Sequence, residues 1–535
     1  MSLHTVNKMV LGLTALVVVA SCAKKLDIYP TNDLTPATAY ATASGYKGVL
    51  AKVYGGLATT GNAGPAGASD IQGLDEGSQS PFIRGFFNAQ ELPTDEAIVS
   101  WDDQTIKDFH GLRWTSSDPF LLGLYSRLVY NVTIGNEYLR EATDEKLSAR
   151  GISGVDAADI KKSRAEVRFL RAFNYWAVMD LFGKTTFITE EDLIGAALPK
   201  QKNRADLFAY IESELKAIEP DLAPAKTIEY GRVDQAAAWA LLARMYLNAA
   251  VYTGTPKYTE AITYAKKVIA SGYILRPGYA KLFLADNDKQ KDEFIYAINC
   301  DGLRTKSYGN TTFLVHAASG DDHDDYGVGG GWYGYRTTKQ FVALFADRTG
   351  ASDQRAMFTN LGNAEINNVG DYQQGIHVKK FRNIRSDGLP VSDAQNRDFA
   401  DIDFPVFRLA EMYLIYAEAQ LRNGSGGDAV TALDYMNKIR FRAYGESYGT
   451  GNIGRLNPAD LTLQTVLDER GRELYWEGHR RTDLVRYGLL TTGTYTWQWK
   501  GGVASGTAVD GKYNIFPVPS TVRSANKNLD QNSGY

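Results

Sequence analysis

The chain has 535 residues, more than one ordinary core holds, and sets 58 Lys and Arg against 62 Asp and Glu for a net charge of −4. The two signs are interspersed without a basic tract, which excludes the electrostatic footprint of a nucleic-acid binder. Tyr and Trp, 32 and 8, outnumber the 22 Phe, so rings with a polar edge, suited to wet flat contact surfaces, are plentiful.

At the N-terminus Lys8 precedes an apolar run, Met9 to Ala20, that is too short to span a bilayer and ends in Ser21-Cys22. This pattern predicts a bacterial lipoprotein signal: a signal peptide over 1–21, cleavage before Cys22, and lipid on the Cys22 sulfur and amine. Cys300 is then left alone, so no intramolecular disulfide is expected. With no other apolar stretch of spanning length, the membrane is expected to be met through the lipid only. Residues 22–36 read as an extended tether, with prolines at 30 and 36 disfavouring helix. A helix is predicted from Ala37 to Leu57, and Gly55 to Pro81, rich in Gly, Ser and Ala, reads as a long loop.

From Pro119 the pattern turns helical. Ala165, Phe169, Ala172, Trp176 and Met179 form an apolar stripe at helical spacing, and Gly183 ends it. Arg164, Arg168 and Arg171 run beside it and are predicted to pair with acids of a neighbouring helix. Ala236, Ala240, Ala243, Leu247 and Ala250 form the next stripe; its partner, Tyr258 to Ala270, carries Ile262, Ala265 and Ile269. Small residues at contact positions let helices approach closely, as in tetratricopeptide-like pairs. Leu409, Met412, Tyr416 and Ala419, followed by Ala429 to Arg442, give another pair at an irregular period. Between the pairs, Pro277 to Asp403 mixes β-like runs (Glu293 to Asn299, Thr311 to His316) with glycine-rich loops.

Glu469, Glu473 and Glu477 recur every four residues, so they are predicted to share one helical face, with Gly478 as its stop and Gly488 ending a second, shorter helix. Arg472, Arg480, Arg481 and Arg486 lie in or just before that second helix. Guanidinium forks meeting carboxylates in pairs can pin a helical corner, and this structural reading outweighs a catalytic one.

The same stretch, E-R-x-x-E-L-x-x-E-G-x-R-x-x-D-L-x-R-x-G from Glu469 to Gly488, closely resembles the near-C-terminal signature of the SusD/RagB family of outer-membrane glycan-binding lipoproteins. Leu26-Asp27-Ile28-Tyr29-Pro30, Arg164 to Ala172, Phe407 to Glu411 with Ala417 to Ala419, and Gln531 to Tyr535 match further family motifs. The resemblance implies a mainly α fold: a tetratricopeptide-like helix-pair scaffold with an irregular, loop-rich lobe containing short β-strands. On that reading 37–535 is one domain, with helix pairs over about 119–272 and 408–488 and a ligand lobe over about 55–118 and 277–403. It also implies a protein on the outer membrane facing the exterior. Its expected role is to capture a glycan, α-glucan favoured, and act as a lid on a SusC-like TonB-dependent transporter, without catalysis or a required cofactor.

A glycan site needs flat aromatics and planar polar groups, and two loop regions supply them. Trp332 follows three glycines with little local cover, so it is predicted to be exposed, unlike helix-borne Trp176 or Trp239. By resemblance to the family's starch-binding prototype, Trp101, Tyr308 and Trp332 form an aromatic arc, and Asp75, Arg84 and Gln104 its polar contacts. An ion pair bracing the loop is the alternative for Asp75 and Arg84; Gln104 replaces an asparagine, which leaves the linkage open. Asp95-Glu96 and Asp102-Asp103 raise a glycoside hydrolase, but adjacent carboxylates rarely face each other across a cleft. Asp286-Asn287-Asp288 and the run Asp321 to Asp325 could each hold a Ca2+ through oxygen ligands, though solvated acidic loops are commoner. The resemblance to the starch-binding prototype implies a metal near the matching loop and so favours Asp286 and Asp288 as ligands of a structural Ca2+. Two other functional readings remain open: a binder of a different glycan, or a helical-repeat module whose ligand is a protein.

Overall fold

The computed structural model describes residues 35–535 apart from 63, 66–68, 193, 194, 196, 390, 392–396, 446, 447 and 449–452. The signal, Cys22 and the Leu26-to-Pro30 motif lie outside these. Among the described residues no helix is long and apolar enough to cross a membrane.

The scaffold is a series of packed helix pairs. Pro119–Glu141 lies on Gly154–Leu181, which in turn packs on Arg204–Ile218. Asp118 fixes the first start by accepting from the Phe120 and Leu121 amides at 2.9 and 3.0 Å, with Pro119 in the position where its missing N–H is not needed. Gln235–Leu247 pairs with Tyr258–Ile269, and Ala236, Ala240, Ala243 and Ala265 are fully buried where the two approach. Leu409–Leu421 packs on both Tyr258–Ile269 and Ala429–Tyr444, closing the row. The arginine stripe finds its acids: Arg168 grips Glu214 with two bonds of 3.1 and 2.7 Å, Arg171 reaches the same carboxylate at 2.9 Å, and Arg164 meets Asp144 at 2.6 Å.

Three expectations about elements are corrected. The helix over Ala37 to Leu57 is two, Pro36–Ala39 and Ala43–Gly55, so the tether gives way before Pro36. Thr35 caps the first and Pro36 opens it, a position that suits proline's fixed φ. Glu293 to Asn299 does contain a strand, Phe294–Ile298, antiparallel to Phe404–Arg408. Thr311 to His316, however, lies in a helix, Thr311–Ala318, capped by Asn310 Oδ1 at 2.9 Å from the Thr312 amide. All eight of its residues are buried, so tertiary cover on every side overrides the β-preference of Thr-Thr-Phe and Val.

The third concerns the acidic corner, where the helix is Leu463–Leu474, and Trp476 and Gly478 take left-handed φ of 62° and 85°. Glu477 therefore lies beyond the helix. The corner is a buried ionic network whose cations come mostly from far along the chain. Glu469 binds Arg355 and Arg440, both at 2.6 Å, besides Arg472 at 2.7 Å. Glu473 binds Arg408 at 2.5 Å and Arg442, and Glu477 binds Lys380 at 2.7 Å and Arg408 at 2.6 Å. Arg480 reaches Asp95 at 2.8 Å and Arg486 reaches Glu418 at 2.7 Å. Burial pushes the Glu469 carboxyl up, but Arg355, Arg472 and Arg440 together hold it well below the usual carboxylate range.

Candidate functional site

The backbone first brings two distant loops together. Strand Ile98–Val99 pairs antiparallel with Tyr335–Arg336, so the chain leaving Val99 runs beside residues 332–334. The Ser100 amide donates to Gly334 O at 2.9 Å, and its hydroxyl donates to Tyr333 O. Trp101 then donates its indole N–H to Trp332 O at 2.7 Å. A Cβ at residue 334 would collide with the Trp101 ring, so Gly334 is what seats the indole there.

Trp101, Trp332 and Tyr308 form one contiguous series with Trp332 in the middle. Ring centroids lie 6.4 Å apart for Trp101–Trp332, tilted by 46°, and 6.2 Å apart for Trp332–Tyr308, tilted by 56°. Tyr308 is 37% exposed, whereas both indoles are half-buried. The exposure expected for Trp332 is thus only partial. His316 stacks behind it at 4.8 Å and 23°, held by a 2.6 Å bond from its Nδ1–H to Gly330 O. Phe399 backs Tyr308 at 5.1 Å. His316 and Phe399 escaped the sequence reading because one sits in the segment read as strand and the other carries no motif.

The polar groups lie around these rings. Arg84, in the buried helix Phe82–Glu91, places its guanidinium 5.3 Å from the Trp101 ring and 4.8 Å from Phe313, and donates to Gly77 O at 2.9 Å. It braces the loop through that carbonyl, and its buried Nε has no hydrogen-bond partner among the described residues. Burial lowers its pKa. Asp75 is exposed; its Oδ1 accepts from the Gly77 amide at 3.0 Å and from the Ser78 amide and hydroxyl at 2.6 and 2.7 Å. Gln79 links the edge, accepting from the Asp75 amide at 3.2 Å and donating to Gln104 Oε1 at 3.3 Å. Gln104 is exposed at a left-handed φ of 44°, a strained setting of the kind found at ligand sites.

The paired carboxylates do not face each other. Asp102 and Asp103 are exposed, Asp102 bound to Lys107 at 2.8 Å; Asp95 is buried against Arg480 and Tyr495. Glu96 accepts from the Trp476 amide at 2.9 Å in the core, where burial raises its pKa. None of these supplies two opposed carboxyls over an open cleft, as hydrolysis requires.

The metal expectation does not fit either. Both oxygens of Asp286 are taken by Ser386, amide and hydroxyl at 2.7 Å each, while Asp288 is exposed. Among the described residues no group of three or more His, Cys, Asp or Glu gathers to hold an ion. A calcium shell takes six to eight oxygens, far more than Asp288 and an engaged Asp286 present.

Comparison with known proteins places this architecture. The SusD family model matches residues 328–535. The Starch-binding protein SusD of Bacteroides thetaiotaomicron is 36% identical over 97% of this chain and 96% of its own. A SusD-like protein of Bacteroides ovatus is 24% identical over 70% of this chain and 66% of its own. Among solved structures, a surface glycan-binding protein A from Bacteroides thetaiotaomicron, in complex with laminarihexaose, superposes with a TM-score of 0.67 at 19% identity, covering 91% of this chain and 99% of that one. A SusD superfamily protein from Bacteroides vulgatus gives 0.68 at 21%, covering 92% and 99%. Near-complete coverage at 36% identity, on a fold shared with those structures, makes this chain a member of the SusD family.

Proposed function

We propose that this protein captures a neutral glycan of the starch type on the Trp101–Trp332–Tyr308 series and passes it to a SusC-like TonB-dependent transporter without cleaving it. The observation that carries the reading is the tilt between successive rings, 46° and then 56°. Sugars stack by their apolar faces, and α-linked glucans turn that face from one unit to the next. Rings set at an angle meet such a chain, whereas a straight ribbon needs coplanar platforms. The Asp75–Gln79–Gln104 edge supplies planar acceptors and amides for the hydroxyls, and Arg84 the cationic one. The starch-binding name of the 36%-identical relative supports the same ligand class. Wet contacts of this kind add little net energy each, so affinity lies on the order of micromolar to millimolar.

Anchorage at Cys22 and exposure on the outer membrane rest on the lipoprotein signal, and the transporter rests on family membership. The test is calorimetric titration with maltoheptaose beside cellohexaose and laminarihexaose. Maltoheptaose should bind and cellohexaose should not; absence of α-glucan binding, or a preference for cellohexaose, refutes the starch reading. For the partner, mild detergent extraction should bring down a β-barrel with the protein, and persistent elution alone counts against it.

A further inference from the structure

The loop that bears Trp101 and Gln104 runs on into a short helix, Lys107–His110, which borders a cavity of about 320 Å³. Gln104 and Lys107 are three residues apart, so their Cα atoms lie within about 11 Å of each other. Asn367 and Asn368 form another wall and Trp499 a third, and Lys107 and Arg113 line the cavity as well.

The cavity walls are fixed in place. Buried Arg336, next to the strand partner of Val99, donates to Val369 O at 2.8 Å and to Gln374 O at 2.6 Å. Gln374 Oε1 in turn accepts from the amides of Asn367 and Asn368 at 2.7 and 2.8 Å. Trp499 gives its N–H to Ile366 O at 2.7 Å, so what the half-buried indole offers the cavity is ring surface. His110 lines the cavity although it is only 5% exposed, and its Nδ1 has no hydrogen-bond partner among the described residues.

Charge decides the ligand class. Lys107 is paired with Asp102 at 2.8 Å and Arg113 with Asp108 at 2.6 Å. Burial, with Arg336, Arg113 and Lys107 nearby, pushes the His110 pKa down to about 3, so the imidazole is neutral. A pocket with one aromatic wall, amides and a neutral imidazole, whose two lining cations are each paired with a carboxylate, suits a polyhydroxylated ring. We infer that the His110–Asn367–Trp499 cavity is a second saccharide subsite, taking a pyranose unit of a neutral glycan chain whose other units lie on Trp101, Trp332 and Tyr308. It rests on the glycan reading above and adds length selectivity to it.

The test uses the detergent-purified full chain labelled with 5-fluorotryptophan, with the Trp499 and Trp332 resonances identified from Trp499→Phe and Trp332→Phe variants. On titration with maltoheptaose both resonances should shift. In His110→Leu the Trp499 shift should vanish and affinity should fall by about three- to tenfold, with Trp332 still responding. Asn367→Ala, an exposed position, should lower affinity in the same direction and serves if His110→Leu does not fold. A Trp499 signal that stays still while Trp332 moves overturns the subsite, as does a Trp499 shift with sodium sulfate but not with sugar. Silence of both resonances refutes the α-glucan reading instead and removes the subsite with it.

Discussion

Replacing each of the three aromatic residues by alanine should separate binding from stability in an order the structure sets. Tyr308 is 37% exposed and, among the described residues, its ring contacts are with Trp332 and Phe399, so Tyr308→Ala should leave the melting temperature within a degree or two. Trp101 is more deeply committed. Its N–H bond to Trp332 O contributes about 1 kcal/mol, its edge contact with Tyr335 at 5.3 Å about 1 kcal/mol, and the Arg84 guanidinium 5.3 Å away about 0.5–1 kcal/mol. Trp101→Ala should therefore cost about 2–3 kcal/mol of stability, where an exposed ring would cost almost none. Trp332 lies between, stacked on His316. For binding, removal of the central platform should weaken maltoheptaose by about 30-fold, equivalent to about 2 kcal/mol. Calorimetric titration well below the melting transition, paired with thermal unfolding of the same samples, reads both quantities. Equal binding loss without any stability difference between Tyr308→Ala and Trp101→Ala would refute the assigned burial. Unchanged binding in the Trp101→Ala/Trp332→Ala double variant would refute the site.

In the ionic corner, Glu473→Gln should destabilise by about 3–5 kcal/mol, because Arg408, Arg442 and Arg355 are left buried with one charge too few; denaturant unfolding checks it. Burial raises the Glu91 pKa to about 7 and holds its neighbour Glu96 high as well. The folded state thus keeps a proton that the unfolded chain releases near pH 4.5, so this pair removes stability as pH rises from about 4.5 to 7. Glu91→Gln, whose amide oxygen can still accept from the Gly478 and His479 amides, should flatten that decline in melts run from pH 5 to 8. Cys22→Ala should release the protein from outer-membrane fractions in cells lacking the partner barrel, a result read by fractionation. Treatment with EDTA should leave the melting temperature unchanged, since Asp286 is satisfied by Ser386; a clear drop would show an ion bound elsewhere.

What the sequence determines by itself is whatever repeats at short range. Stripes at Ala165–Met179 and Ala236–Leu247 place helices because one face must leave water, and alanines set how closely neighbours approach, although Ala250, read into the second stripe, falls in a separate short helix, Ala249–Thr253. The charged motif from Glu469 to Gly488 identifies the family, yet its local spacing misplaces Glu477 and its partners. Which of several arginines meets a buried carboxylate depends on chain segments more than 60 residues away, as with Arg408 and Glu477. Burial of Thr311–Ala318 on every side is likewise invisible in its own residues and reverses their strand preference. Trp332 shows the same limit at the site: three preceding glycines offer no local cover, and the cover comes from His316 and the Trp101 loop instead. The ring tilts and the Gly334 seat exist only once Ile98–Val99 and Tyr335–Arg336 pair. Residue types are a local property, but the angle between two rings is fixed by the backbones that carry them, and only the tertiary structure brings those backbones together.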